Sequence, residues 1–122
     1  MKGDMLKGVY YFIDEDGRSP VKEFIGSLTE IEQARVYAYI SELKNRGHIM
    51  RRPMADYLRD GIYELRPRDN RIFYFFYMRD RAVLVHAITK HVKKIPEADL
   101  NLCIKRKARI EACGANIEQI EM

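Results

Sequence analysis

The spacing of apolar positions changes several times along this chain, and each change predicts an element. Residues 8–13, GVYYFI, form an unbroken apolar and aromatic run that stops at Asp14-Glu15-Asp16-Gly17, the pattern of a strand entering a turn. Ser19-Pro20 then supplies an N-cap and a proline at the first helical position, and Val21, Phe24, Ile25 and Leu28 follow at helical spacing. Thr29 and Glu32 have the capping-box separation. Val36, Ile40 and Leu43 recur on one face of residues 31–45, so a second helix is predicted to end near Gly47, whose missing side chain suits a C-cap.

Residues 48–60 read as a basic connector containing Pro53, with a short turn around 55–58. Two aromatic and β-branched runs, 62–65 and 72–77, flank Pro67-Arg68-Asp69-Asn70 and predict a hairpin. Arg79-Asp80-Arg81 turns the chain into a further strand, residues 82–89. Pro96 then opens an amphipathic helix through Leu100, Cys103, Ile104 and Ala108 that closes at Gly114. The order β-α-α-β-β-β-α predicts an α+β fold: a small antiparallel sheet, made of a meander plus the N-terminal strand, with two N-terminal helices and one C-terminal helix. The helices are expected to pack on one face of the sheet, which leaves the other face as the candidate working surface. Residues 1–114 form a single domain on this reading, and 115–122 are a frayed tail or a short interaction segment.

Composition narrows the class. The chain has 122 residues, 47% of them apolar and 33% charged, enough for one core without staples. Charge interrupts the N-terminus MKGDMLKGVYYF where a signal peptide needs an apolar run, and no apolar stretch is long enough to span a bilayer. The expectation is a cytoplasmic protein with no membrane association. Cys103 and Cys113, about 15 Å apart along one helix, and three scattered histidines make neither a disulfide framework nor a metal motif. Asp14-Glu15-Asp16-Gly17 lacks the ligand spacing of a calcium loop, and neither a P-loop nor a dinucleotide glycine fingerprint occurs, so no metal or cofactor is expected.

Charge is unevenly placed around the net +4. Residues 1–42 are acidic on balance, whereas residues 81–109 carry Arg81, Lys90, Lys93, Lys94, Lys105, Arg106, Lys107 and Arg109 against Glu97 and Asp99. Such a gradient favours an anionic partner, with nucleic acid the commonest, or else a solvated basic face.

The strand directions then bring chemistry together. One strand ends at Arg66, the next begins at Arg71, and the strand after it runs back and exits at Lys90, so two basic clusters are predicted at one end of the sheet. Arginine meets phosphate oxygens two at a time and never loses its charge, which suits it to the charge that grows when a ribose 2′-hydroxyl attacks its own phosphodiester. The alternative is that Arg66 or Arg71 pairs with Glu64 or Asp69 and pins the hairpin. His91 lies in the second cluster, and an unperturbed imidazole has the near-neutral pKa that proton transfer requires, unless the residue is simply surface. His86, inside an apolar strand, is a core or partner-facing residue. Tyr74 and Tyr77 stack on bases, donate a proton, or belong to the core. His48 is a nucleic-acid contact or an idle loop residue.

Taken together, Tyr63-Glu64-Leu65-Arg66, Arg71-Ile72-Phe73-Tyr74, the exit at Lys90 and Pro96 at the last helix resemble the RelE/ParE toxin superfamily, nearest its phage-derived HigB-like branch, over residues 9–112. The resemblance implies a RelE-like, microbial-RNase-like fold. It also implies a type II toxin: a ribosome-dependent, metal-independent mRNA endonuclease that inhibits translation and is silenced by a helix-turn-helix antitoxin. Its partners would then be mRNA on the ribosome and that antitoxin. On this basis Arg66, Arg71, Lys90 and His91 are the candidate catalytic residues, and Lys93, Lys94, Tyr74 and His48 the candidate RNA-binding ones. His91 stands where the branch often has a second lysine, and no tyrosine follows Tyr77 to serve in proton transfer as in RelE-type enzymes. A non-cleaving RNA- or ribosome-binding module and a ParE-like inhibitor of gyrase are the rival readings.

Overall fold

A computed structural model describes residues 5–90, 93–113 and 116–122. The chain runs β1 (Gly8–Phe12), α1 (Pro20–Gly26), α2 (Glu30–Arg46), a single 3-10 turn (Gly47–Ile49), β2 (Ala55–Arg59), β3 (Ile62–Leu65), β4 (Asn70–Tyr77), β5 (Arg81–Thr89), α3 (Glu97–Cys113) and β6 (Ile117–Gln119). The architecture is α+β, as expected: three helices on one mostly antiparallel, six-stranded sheet of order β2-β3-β4-β5-β1-β6.

Local chemistry sets the element ends. The Ser19 hydroxyl accepts from the Lys22 amide at 3.2 Å with Pro20 behind it, and Thr29 and Glu32 complete a reciprocal capping box. Gly47 follows α2 with φ at +54°, in the left-handed region where a Cβ would be strained.

Three elements differ from the sequence reading. The connector holds a strand, β2, which forms a hairpin with β3 through Asp60 and Gly61, both at positive φ as a two-residue hairpin turn demands. The tail holds β6, which pairs antiparallel with β1, and the Ile120 amide donates to the Val9 carbonyl at 2.8 Å. β1 itself runs parallel to β5, with Gly8 opposite Arg81.

Helices cover both faces, not one. Val21, Ile25, Val36, Ile40 and Leu43 of α1 and α2 pack with Val9, Tyr11, Leu65, Ile72, Tyr74 and Leu84 on the first face. Leu100, Cys103 and Ile110 of α3 pack with Ile62, Phe73, Phe75, Val83 and Val85 on the second. This is why β4 reads as an unbroken apolar run: its side chains alternate between two buried faces. Each Phe or Ile so buried contributes about 1.5–3 kcal/mol. No whole face is left open as a candidate working surface, only parts of faces that the helices do not cover.

Candidate functional site

On the α3 face, at the end of the sheet where β3 exits and β5 leaves, a groove of about 430 Å³ opens between the β2 edge and the start of α3. Arg52, Asp56, Arg59, Glu64, Arg66, Lys90, Lys93, Lys94 and Glu97 supply its charged lining, six cations against three carboxylates. Backbone bonds fix the two basic exits beside each other. The Arg66 amide donates to the Met54 carbonyl at 2.8 Å, and the Lys90 amide donates to the Asp69 carbonyl, inside the β3–β4 turn, at 2.7 Å. Below them Thr89 donates its hydroxyl to the buried Asn70 side chain at 3.0 Å.

Glu64 is the pivot of the cluster. Its side chain is 3% exposed, and its Oε2 accepts from Arg66 Nη1 at 2.7 Å. Its other oxygen, Oε1, faces Arg71 Nε at 3.7 Å, too long for a hydrogen bond, and neither atom has a hydrogen-bond partner among the described residues. Arg71 instead donates Nη1 to the carbonyls of Arg68 and Asn70, tying down the turn. Burial first, and then the neighbouring Arg66 charge, lowers the Arg71 guanidinium from its ordinary pKa, while Glu64 opposes the shift. Both arginines thus pair with Glu64, the hairpin-pinning alternative, but not equally. Arg66 also lines the groove, whereas Arg71 lies beneath it at 11% side-chain exposure.

The other arginines of the groove are likewise tethered. Arg52 pairs with Asp56 at 2.9 Å and Arg59 with Glu97 at 2.7 Å. These four residues were not singled out in the sequence, because three of them bracket or occupy the unrecognised strand β2. Lys93 and Lys94 are exposed on the rim. His86 lies nearby on the same face, its ring stacked on Phe73 and its Nε2 bonded to Asp99 of α3 at 2.7 Å, so it anchors α3 to the sheet.

Two expected site residues stand elsewhere. Tyr74 is fully enclosed on the α1/α2 face, with burial raising its phenol pKa and its hydroxyl without a hydrogen-bond partner among the described residues. Its ring cannot stack on a surface base, and that expectation is corrected. His48 lies at the opposite end of β4, bonded through Nε2 to the Arg79 carbonyl at 2.7 Å. His91 lies outside the described residues. Among the described residues no group of three or more His, Cys, Asp or Glu side chains is placed to hold a metal ion, and no helix is long and apolar enough to cross a membrane.

Residues 23–108 match the family model described as phage derived protein Gp49-like (DUF891). The chain belongs to this family. The Gp49-like family is phage-derived and toxin-like, of the RelE/HigB type, and its members are commonly toxins of toxin–antitoxin systems. The matched span of this Gp49-like chain takes in every charged residue of the groove, while β1 and β6 fall outside it. None of the curated proteins matches the chain.

Proposed function

We propose that this Gp49-like protein is the toxin of a type II toxin–antitoxin pair of the HigB-like branch, an endonuclease that cuts mRNA on the ribosome without a metal. The observation that carries this reading is the groove, in which cations from the ends of two strands and the following loop surround a space fit for a phosphodiester backbone. Arg66, held by Glu64, and Lys90 face the scissile phosphate. Lys93 and Lys94 hold the flanking backbone, and Arg71 acts indirectly, fixing the turn and balancing Glu64. His91, next to Lys90 in sequence, is the group assigned to proton transfer.

In the reaction the 2′-oxygen bonds to phosphorus and its proton leaves to a base, while the bond to the 5′-oxygen breaks and that oxygen takes up a proton. Cations on the non-bridging oxygens stabilise the charge that builds between these events. A site without a strong base gains from a ribosome that splays mRNA into the in-line arrangement, which removes an orientational part of the barrier. The partner that silences such a toxin is a helix-turn-helix antitoxin, and the setting of both is the cytoplasm.

One observation favours a non-cleaving RNA binder instead: Arg52, Arg59 and Arg66 each already hold a carboxylate. Mapping RNA 5′ ends after brief induction separates the two, with Arg66→Lys alongside and translation stalled in a second arm. New ends inside translated codons, absent in the variant and dependent on ribosome occupancy, support cleavage. Growth arrest without new ends sinks it, and DNA-damage signals with intact mRNA would point to gyrase.

A further inference from the structure

Coverage of the α1/α2 face is uneven. The two helices pack over β1 and β5, and toward the β2 edge the surface becomes aromatic. Tyr57 on β2 meets Tyr63 on β3 edge-on, with ring centroids 5.0 Å apart, and Tyr63 meets Phe76 on β4 edge-on at 5.2 Å. His48 lies flat on Phe76 at 3.8 Å. Tyr57 is 49% exposed, His48 is exposed, and Tyr63 and Phe76 are half-buried between them. Four rings therefore cross three strands as one connected row.

The outer members of the row are held in place. The His48 ring is bonded to the Arg79 carbonyl, and the Tyr57 hydroxyl accepts from the Gly61 amide at 3.2 Å. A ligand stacking on them would not have to freeze them first, which removes part of the ordering cost of binding.

Charge beside the row selects its ligand. Arg51 donates to the main-chain carbonyls of His48 and Met50, and Arg79 flanks the same ring. Neither guanidinium is in an ion pair among the described residues, and Asp80, next to Arg79, is engaged by Arg81. Aromatic faces with unpaired cations alongside fit unpaired bases on a phosphate backbone.

Position supplies the second argument. β2 is the edge strand, and its side chains alternate: Asp56 turns to the groove, while Tyr57 meets Tyr63 on the opposite face and also borders the groove. A strand leaving the groove over the β2 edge meets Tyr57 first. We propose that Tyr57, Tyr63, Phe76 and His48 form a stacking platform for unpaired bases of single-stranded RNA, continuous over the β2 edge with the phosphate groove. The inference rests on the groove reading for the path of the strand.

The test measures binding of the full chain to a labelled oligouridylate and to an abasic ribose–phosphate oligomer of equal length. Tyr57→Leu should weaken oligouridylate binding about tenfold, the scale of one lost base stack, and leave the abasic oligomer unchanged. Tyr57→Phe, which keeps the ring but loses the bond to the Gly61 amide, should weaken oligouridylate binding less than Tyr57→Leu does and leave the abasic oligomer unchanged. A Lys93→Ala, Lys94→Ala double variant should weaken both oligomers alike. If Tyr57→Leu binds both as the wild type does, the platform is overturned while the groove reading stands. If the lysine variant is without effect, the groove reading falls, and the platform is judged by Tyr57→Leu alone. Loss of co-purification with the cognate antitoxin in Tyr57→Leu, with RNA binding intact, assigns the row to a protein partner and overturns the proposal. Photocrosslinking of 5-bromouridine RNA to the wild-type chain needs no variant: adducts on Tyr57, Tyr63 or His48 support the platform, and adducts confined to groove residues overturn it.

Discussion

Glu64 and Arg66 stand two residues apart on one side of the sheet, and their 2.7 Å ion pair joins a sealed carboxylate to a guanidinium that reaches the groove. The carboxylate aims the arginine, since a fork bonded at one nitrogen has lost much of its rotamer freedom. With Arg71 on the other side of Glu64, two positive charges share one negative, so the cluster retains positive character where it meets the groove.

Replacing Glu64 with Gln should leave two partly buried guanidiniums facing an amide. A broken buried pair costs about 3–5 kcal/mol, and urea unfolding should show a loss near the lower end, because Arg66 retains access to water. Stability equal to the wild type would mean the pair contributes nothing to the fold.

Arg66 and Arg71 should separate on mutation. Arg66→Lys keeps the charge but loses the fork, so growth inhibition should fall with a melting temperature close to wild type. Arg71→Ala removes the donor to two turn carbonyls and leaves Glu64 short of a partner, so it should cost about 3 kcal/mol and lower toxicity through misfolding. Thermal melts beside growth assays check both. An Arg71→Ala protein that is stable and non-toxic would make Arg71 a direct phosphate ligand.

The two thiols should behave differently. Burial pushes the Cys103 thiol up to about 12, whereas Cys113 is exposed. At pH 8 a thiol reagent should modify Cys113 alone in the native chain and both in urea. The raised value holds the proton in the folded state, so its contribution to stability is complete below the unfolded thiol value of about 8.5 and is lost as pH rises from there toward about 12. Denaturation midpoints measured between pH 8 and 11 should fall for the wild type and less for Cys103→Ala.

Ending the chain at Cys113 removes β6, uncovers the pocket of Ile120 and frees the edge of β1. Loss of one buried isoleucine alone is about 1.5–3 kcal/mol, and an open edge invites pairing between chains. Size-exclusion chromatography should show association beyond that of the full chain, together with a lower melting temperature. An unchanged elution and melt would make β6 dispensable.

Seven of the nine principal elements were legible because their apolar runs are bounded by strong punctuation: the Asp-rich turn after β1, the Ser19-Pro20 and Thr29–Glu32 starts, and Pro96 before α3. β2 escaped because an edge strand keeps polar residues such as Asp56 and Arg59, although Asp60-Gly61 before Ile62 is a hairpin signal. β6 is too short for a period to register. The parallel pairing of β1 with β5 has no local signature, and α3 on the second face was hinted at only by the doubly apolar run of β4. The convergence of Arg66 and Lys90 followed from strand direction alone. The sinking of Arg71 beneath the groove did not, since burial depends on what tertiary packing lays over a position.

The placement of β1 between β5 and β6 also sets an order of events in time. β2 to β5 join neighbour to neighbour through short turns, so the groove strands need only local loop closures. β1 is made early but must wait for partners far along the chain, pairing Gly8 with Arg81 and Tyr10 with Gln119. Non-local closures are slow. The meander that carries the cations is therefore free to assemble from local closures, whereas β6, whose one strand neighbour is β1, has no edge to pair with until β1 lies against β5.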